Sequence, residues 1–446
     1  SSYTDWTLLS WLGRFNYSYK GKYLATVSFR ADGSSRYSKG NKWGYFPSGA
    51  LAWRFSEEGF MKDLPFISNG KLRIGYGQTG STAINPYYTL DMLSSGKVSF
   101  DDALYTYYAP GTRLPSDLKW ETTSQTDIGL DLGFFNNRLR LTADYYLKNT
   151  RDLLNTVQLP ASLGYTTTVK NIGKIRNKGF EFQVDADILD NDFKWNVSAN
   201  ISFNRNKVVK LYEGQDVQGT TYNLIVANDY VNLLREGLPM SIFYGYQTDG
   251  FDEKGHFVYK DNNKDGSISE DDKTIIGDPN PDFIYGLTSN MSWKNFELSF
   301  FIQGSQGNDI YGFSMITQNY KTYLGYNALE EVFYNHWTPD HTNAKYPAVD
   351  NVISTKMADN FVYNGSYLRL KNIKLAYNIP VNKLGINWLK RGQVYISGQN
   401  LLTITKYPWW DPEVNSKGGG ASMNQGIDYY SYPTTKGFTV GAKLSF

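Results

Sequence analysis

The sequence predicts an all-β protein, a transmembrane antiparallel β-barrel, from three observations. Apolar and polar residues alternate with a period of two over long stretches, which is the signal of strands with one apolar face. The longest uninterrupted apolar run has four residues, far below the roughly 18 that a membrane-spanning helix needs. Short and long connectors alternate between the predicted strands, which is typical of outer-membrane barrels.

The alternation predicts thirteen long strands. It is clearest in residues 193–203, where six apolar residues alternate with five polar ones. Between Leu370 and Ile373 the alternation slips by one position, which is what a β-bulge produces. The predicted strands are 9–19, 23–32, 45–55, 70–78, 122–134, 138–149, 178–189, 192–205, 282–293, 296–305, 365–379, 392–402 and 436–446.

The connectors fall into two classes. The short ones carry Asn, Gly, Asp or Lys, and Asn and Gly tolerate the positive φ of tight hairpins. They are Lys20-Gly21, Asn136-Asn137, Asp190-Asn191 and Lys294-Asn295. The long connectors are 79–121, 150–177, 206–281, 306–364 and 403–435. We expect the apolar strand faces to contact lipid and the polar faces to line a wet lumen.

The strand count predicts that residues 1–446 are a single barrel portion and the C-terminal part of a larger barrel. The last strand ends on an alternating apolar pattern and Phe446, like the assembly signal of outer-membrane barrels. With thirteen antiparallel strands the two chain ends lie on opposite sides of the membrane, and the first strand starts at the extracellular side. Bacterial barrels have an even number of strands, so further strands are expected. A fourteenth candidate strand, Ser241–Gly250, would break the alternation of connectors, so we place it in an extracellular excursion at 206–281.

Composition and motifs exclude several classes of function. The 45 Lys and Arg nearly balance the 43 Asp and Glu, which argues against a nucleic-acid partner. The chain has 25 Phe, 36 Tyr and 11 Trp, too many for a disordered chain. It has no Cys and no Ser in a nucleophile-elbow motif, so we expect that it is not an enzyme and has no catalytic residues.

Residues 261–272 match a twelve-residue calcium loop. Oxygen ligands recur at every second position, Gly266 lies at position six, and Asp272 stands at position twelve, where an EF-hand has Glu. No helical flanks are evident. The expected cofactor is a structural calcium ion that cross-links this external segment. The predicted ligands are Asp261, Asn263, Asp265, Ser267 through its carbonyl, and Asp272.

The aromatic residues divide into two groups. Seven Trp residues lie near strand ends or on apolar faces, where we expect an interfacial girdle. They are Trp6, Trp11, Trp53, Trp120, Trp195, Trp293 and Trp388. Aromatic residues in the long connectors are candidates for stacking on sugar rings, although large aromatics also dominate protein–protein interfaces. The substrate-binding candidates are Trp409, Trp410, Tyr429, Tyr430, Tyr320 and Tyr323.

Seven segments together resemble the SusC/RagA family of TonB-dependent outer-membrane transporters. They are GRFNYSYK at 13–20, FRADGSSR at 29–36, WGYFPS at 43–48, LAWR at 51–54, LRIGYGQTG at 72–80, NPDFIYG at 280–286 and QGSQGNDIY at 303–311. The resemblance implies a 22-stranded barrel with an N-terminal plug in the outer membrane. Against that family pattern, we expect the plug, the TonB box and about the first nine strands to lie outside this sequence.

The resemblance also implies function and partners. The family imports oligosaccharides, or in some members peptides, with a SusD-like surface lipoprotein as a lid and energy from the TonB complex. We therefore expect as partners the lid, the missing plug and N-terminal strands, the substrate and outer-membrane lipid. Contact with the TonB complex would run through the missing N-terminal part. A peptide importer of the same family is the alternative.

Two further alternatives belong to other classes. A passive pore of about fourteen strands would require Ser241–Gly250 to span the membrane. A soluble calcium-dependent carbohydrate-binding β-protein would use the apolar strand faces as a core.

Overall fold

A computed structural model describes residues 3–82, 84–87, 89, 93–110, 117–158, 167–222, 229–320, 327–349, 356–381, 383, 388–416 and 422–446. Its main element is a thirteen-stranded sheet whose strand order follows the chain. All thirteen predicted strands are present. They are β1 (Leu8–Tyr19), β2 (Tyr23–Ser34), β3 (Trp43–Trp53), β4 (Ile67–Ser81), β5 (Glu121–Phe134), β6 (Leu139–Gln158), β7 (Thr167–Asp190), β8 (Phe193–Lys210), β9 (Phe283–Trp293), β10 (Phe296–Gln306), β11 (Tyr367–Ile379), β12 (Arg391–Thr405) and β13 (Gly437–Ser445).

Two of the four predicted hairpin turns have positive φ at both named residues. In Lys294-Asn295 only Lys294 has a positive φ, of 52°, and in Asp190-Asn191 neither residue has one. Lys20 and Gly21 have φ of 52° and 68°, and Asn136 and Asn137 have φ of 57° and 62°. These are the left-handed conformations that tight hairpins require. β1 then pairs with β2 from Tyr19 opposite Tyr23 without a register break.

The predicted β-bulge lies at Lys371. In the pairing of β10 with β11, Phe301 faces Asn372 and the next residue, Ile302, faces Leu370, so Lys371 has no partner in the register. The pairing of β11 with β12 shifts between the same two residues of β11. The extra residue reverses the alternation, which explains the phase slip in the sequence.

Two strands extend much further than predicted. β6 has 20 residues and β7 has 24, whereas a membrane-spanning strand needs only about 9 to 11 residues. Their outer halves, residues 149–158 and 167–178, contain apolar residues that do not follow a period of two, among them Leu153, Leu154, Val169 and Ile172. Leu154 and Val169 pack on the buried cluster around Trp120, so the alternation that marks the membrane-spanning part is lost there.

The described residues group into two compact units. One contains Ser1–Asn137, Leu141–Phe180 and Asn206–Gln215, and the other contains Arg138–Arg140, Glu181–Arg205 and Asp216–Phe446. In the first unit, the connector after β4 contains a hairpin that the sequence did not predict, Leu93–Phe100 with Ala103–Pro110.

The first unit also corrects one member of the predicted aromatic girdle. Trp120 is 7% exposed and stacks on Tyr37 with ring centroids 5.3 Å apart. Its indole N–H donates to the carbonyl of Lys42 at 3.1 Å. Trp120 therefore belongs to a buried cluster with Phe46 and Leu118 rather than to an interface with lipid.

The second unit carries several small sheets in its long connectors. One has four strands, Val217–Gln218, Asn232–Leu234, Ile242–Gly245 and Thr274–Gly277. One has three, Val362–Asn364, Asp309–Gly312 and Ile427–Asp428, and two pairs are Thr221–Tyr222 with Asp229–Tyr230 and Thr248–Phe251 with Phe257–Tyr259. Ser241–Gly250 thus contributes to two small sheets and not to the main sheet. This placement contradicts the passive pore of fourteen strands, which needed that segment as a membrane strand.

Helices are few and short. The α-helices are α1 (Phe313–Tyr320) and α2 (Glu330–Asn335). The 3₁₀ helices are Phe55–Glu57, Gly59–Met61, Tyr212–Gly214, Glu270–Asp272, Asp359–Phe361 and Ser422–Asn424. In the part of the chain that the structure describes, no helix has the length and apolar character needed to cross a bilayer.

Candidate functional site in the long connectors

The predicted calcium loop folds around the side chains of its first half. The Asp261 carboxylate accepts backbone N–H bonds from Asp265 at 3.2 Å and Gly266 at 2.8 Å. Gly266 has φ of 87°, the sharp turn expected at position six. The carboxylate of Asp265 accepts both the backbone N–H and the hydroxyl of Ser267, and these bonds lower the pKa of Asp265.

Asp272, the predicted ligand at position twelve, is fully buried. Its carboxylate accepts the backbone N–H groups of Ser269 and Asn262 at 2.8 Å each and of Asn263 at 3.3 Å. The bond from Ser269 is the main cause of its lowered pKa. Among the described residues no three Asp, Glu or His side chains converge as a ready metal cluster. The loop therefore has the turn expected at position six, and Asp272 holds its two halves together, whereas calcium binding by this loop stays a prediction.

The residue after this loop anchors it to the small sheets. The Lys273 side chain is fully buried, and its Nζ lies 2.6 Å from Asp229 and 2.9 Å from Glu270. It also lies 4.5 Å from the ring centroid of Tyr230 and 5.3 Å from that of Tyr246. Burial alone lowers the pKa of Lys273, but the hydrogen bonds to both carboxylates outweigh it and raise the pKa.

Trp409 and Trp410 form a stacked pair in the connector between β12 and β13. Their ring centroids are 5.3 Å apart and their planes differ by 7°. Trp409 packs on a buried cluster that contains Ile310, Met315 and Tyr407. Trp410 is 67% exposed, so its indole is open to solvent and stacks on the partly buried indole of Trp409.

A group of paired charges holds the same connector to β11. Arg369 is only 2% exposed, and its guanidinium lies 2.5 Å from Asp411 and 2.6 Å from Glu413. It also donates to the hydroxyls of Thr403 at 2.9 Å and Thr434 at 2.8 Å. We call Arg369, Lys371, Asp411 and Glu413 the charge socket.

Two features strengthen the charge socket. Lys371, the bulge residue, has its Nζ 2.8 and 2.6 Å from the two carboxylate oxygens of Glu413. Asp411 also accepts the N–H groups of Glu413 and Thr434, and the Thr434 hydroxyl. Burial alone raises the pKa of Asp411, but the bonds from Arg369 and Thr434 outweigh it and lower the pKa to about 2.

The other predicted substrate aromatics are Tyr429, Tyr430, Tyr320 and Tyr323. Tyr429 and Tyr430 meet edge to face at 5.2 Å, and Tyr429 also contacts the rings of Tyr222 and Phe313. Tyr429 packs on the buried cluster that contains Phe313, whereas Trp409 packs on the cluster that contains Tyr407. The Tyr407 hydroxyl donates to Asp428, the residue before Tyr429, at 2.6 Å, so the two clusters adjoin. Tyr320 ends α1 with its side chain outside the described part, and Tyr323 lies outside the described residues.

The sequence reasoning missed the charge socket. Its members are separated by up to 44 positions along the chain and carry no spacing signature. One signal was available, because the phase slip between Leu370 and Ile373 marked Lys371 as an irregular position, and bulges often re-aim a side chain at a functional site.

Comparisons with known proteins agree with this architecture. A sequence profile of the family described as TonB dependent receptor-like, beta-barrel matches residues 2–401. The TonB-dependent receptor P3 of Formosa agariphila is 38% identical over 100% of this chain and 46% of its own length. The TonB-dependent receptor SusC of Bacteroides thetaiotaomicron is 36% identical over 99% of this chain and 44% of its own length. The solved structure of the RagAB peptide transporter matches with a TM-score of 0.84 at 26% identity, over 99% of this chain and 48% of that one.

These matches define an outer-membrane β-barrel of the TonB-dependent class. The chain belongs to the TonB-dependent receptor β-barrel family and corresponds to a barrel portion of SusC-like receptors. It spans less than half the length of the curated relatives it matches. The family is one of transporters rather than enzymes, and its outer-membrane location contradicts the soluble carbohydrate-binding alternative.

Proposed function

We propose that this barrel portion serves TonB-dependent import of oligosaccharides across the outer membrane, together with an N-terminal plug and the remaining strands. The observation that carries the proposal is the match to TonB-dependent receptors, SusC among them, over essentially the whole chain. A SusD-like lipoprotein is the proposed lid, and the TonB complex, acting through the N-terminal part, is the proposed source of energy.

The polar face of the second unit supports an aqueous route. Two polar rungs cross the strands β8 to β11 with side chains on one face. They are Lys194–Ser292–Glu297–Ala376 and Asn196–Asn290–Ser299–Lys374. These residues line a cavity of about 520 Å³. A wall of amides, hydroxyls and charged side chains can hydrogen-bond to a plug surface or to a hydrated substrate, which an apolar wall cannot.

A peptide substrate is the second candidate, favoured by the likeness to the RagAB peptide transporter. Binding of neutral oligosaccharides and of mixed oligopeptides to the purified full-length receptor with its lid separates the two. Saturable binding of an oligosaccharide supports the proposal. Binding of peptides alone contradicts the oligosaccharide substrate and leaves the import role in place, whereas isolation of the receptor without any lipoprotein contradicts the lid.

We also propose that residues 261–272 bind a structural calcium ion through Asp261, Asn263, Asp265, the Ser267 carbonyl and Asp272. Support comes from the carboxylates of Asp261 and Asp265, which lie around the Gly266 turn and accept hydrogen bonds from the loop backbone.

Calorimetric titration of the full-length receptor with Ca²⁺ tests the calcium site. Asp265→Asn should abolish the binding isotherm. Asp271→Asn, an exposed neighbour outside the predicted ligand set, is the control and should leave the isotherm intact. Equal Ca²⁺ binding by Asp265→Asn and the wild type would overturn the site.

A further inference from the structure

The connector that carries the Trp409–Trp410 pair is tethered on the polar side of the barrel wall. Arg369 lies opposite Thr403 in the β11–β12 register and donates to its hydroxyl. The neighbours of Thr403 in β12, Leu402 and Ile404, are exposed apolar side chains on the other face. Because successive strand residues point to opposite faces, the connector is held on the face away from lipid. Trp410 is therefore not placed as a membrane anchor.

The indole of Trp410 is preorganised. The segment runs Tyr407-Pro408-Trp409-Trp410-Asp411-Pro412, so a proline limits the backbone on each side of the pair. Trp409 is packed into a buried cluster, and Asp411, the residue after Trp410, is locked to Arg369. A ligand that stacks on Trp410 therefore meets a ring whose conformational freedom is already restricted, and preorganisation of this kind raises affinity.

The charges beside the platform decide the ligand class. The charge socket contains two cations and two carboxylates, and each is paired within it. No charge of the socket is left over to take a peptide terminus or a charged side chain. A flat, open indole beside matched charges suits a neutral ring with an apolar C–H face and hydrogen-bonding edges, which describes a pyranose.

We propose that Trp410 is a stacking platform for a neutral sugar ring of the substrate and that Arg369 and Asp411 are its positioning residues. The proposal deepens the oligosaccharide-import function and rests on it. Trp410 would touch the substrate, whereas Arg369 would act only by fixing the connector that presents the ring.

The test uses the full-length receptor with its lid and a panel of neutral oligosaccharides derived from α-glucan, β-glucan, fructan, xylan and mannan. Trp410→Ala should weaken binding of the preferred oligosaccharide about ten-fold or more, as expected for an aromatic side chain that the ligand covers on binding, and Trp410→Phe should recover part of the loss. Tyr432→Ala is the matched control, because Tyr432 is 86% exposed in the same connector, and it should bind like the wild type.

The positioning role has its own readout. Arg369→Met should raise the half-saturation concentration for uptake and leave the maximal rate unchanged, and Arg369→Lys should recover part of the affinity. If Arg369→Met lowers the maximal uptake rate and leaves the half-saturation concentration unchanged, Arg369 does not position Trp410.

The outcomes separate the platform from the import function. If the wild type binds an oligosaccharide and Trp410→Ala binds it with the same affinity, the stacking role of Trp410 is wrong and the import function is unaffected. If Trp410→Ala weakens only binding of the lid, or only binding of peptides, the assignment of Trp410 to a sugar ring is wrong. Failure of the wild type to bind any oligosaccharide contradicts the proposed function itself.

Discussion

Replacing Arg369 by Met should release the connector between β12 and β13 while leaving the barrel folded. The side chains of Arg369 and Asp411 are 3% and 4% exposed, so the change leaves a buried carboxylate without its cation. Breaking such a pair costs about 3 to 5 kcal/mol. The matched control is Lys371→Met, because Lys371 and Glu413 are 23% and 26% exposed and such pairs contribute about 1 kcal/mol or less.

Hydrogen exchange reads this difference at two particular amides. The N–H groups of Glu413 and Thr434 donate to Asp411, so they exchange only when the charge socket opens. Arg369→Met should speed their exchange by about 10² to 10⁴-fold, and Lys371→Met by less than about ten-fold. Equal effects of the two substitutions would refute the argument that burial makes the Arg369 pair dominant.

The same pair predicts a pH dependence. The pKa of Asp411 falls from 3.8 to about 2 in the folded protein, because its bonds with Arg369 and Thr434 outweigh the effect of burial. Because the pKa of Asp411 is lower in the folded state, its carboxylate stabilises the folded state at pH values above the pKa of the unfolded state. This stabilisation of about 2 kcal/mol is lost as the pH falls from 4 towards 2. Protection of the two amides should therefore be constant at neutral pH and decline only below pH 4. Loss of protection between pH 7 and 5 would contradict this assignment.

Three further predictions concern backbone and buried charge. Deleting Lys371 removes only the bulge residue, so every other side chain of β11 stays on its face and the barrel should still assemble. Deleting Lys374 moves the side chains on one side of the deletion to the opposite face of the sheet, so the barrel should fail to fold. The assay is the folded band that unheated barrel proteins give on a denaturing gel. Gly266→Ala adds a Cβ that meets no atom within 4 Å but strains a φ of 87°, so Ca²⁺ affinity measured by calorimetry should fall about five- to thirty-fold. Lys273→Met leaves Asp229 without its cation and should destabilise the small sheets by about 3 kcal/mol, seen as faster exchange in hydrogen-exchange mass spectrometry.

The membrane-spanning strands were predictable because lipid on one face and water on the other impose a period of two. That asymmetry located all thirteen strands and the bulge at Lys371. It failed where the asymmetry ends. In the outer half of β6 the adjacent residues Leu153 and Leu154 break the period of two, and Leu154 packs on a buried cluster. The Leu93–Phe100 hairpin lies in a connector with no membrane-spanning strand.

The candidate site was predictable only where its chemistry is local in sequence. Residues 261–272 lie within one loop, so their spacing is visible, and Trp409 and Trp410 are adjacent. The charge socket joins Arg369 to Asp411 across two strands and a connector. Whether a charged residue has a partner depends on strand order and on the course of the connector, and the spacing of residues along the sequence predicts neither.

The most direct measurement is uptake of a labelled oligosaccharide by cells that carry the full-length receptor, with and without a working TonB complex. If the barrel portion serves TonB-dependent import, uptake is saturable and disappears when either the TonB complex or the lid lipoprotein is removed. Uptake that continues without TonB, or uptake of peptides in place of oligosaccharides, would contradict it.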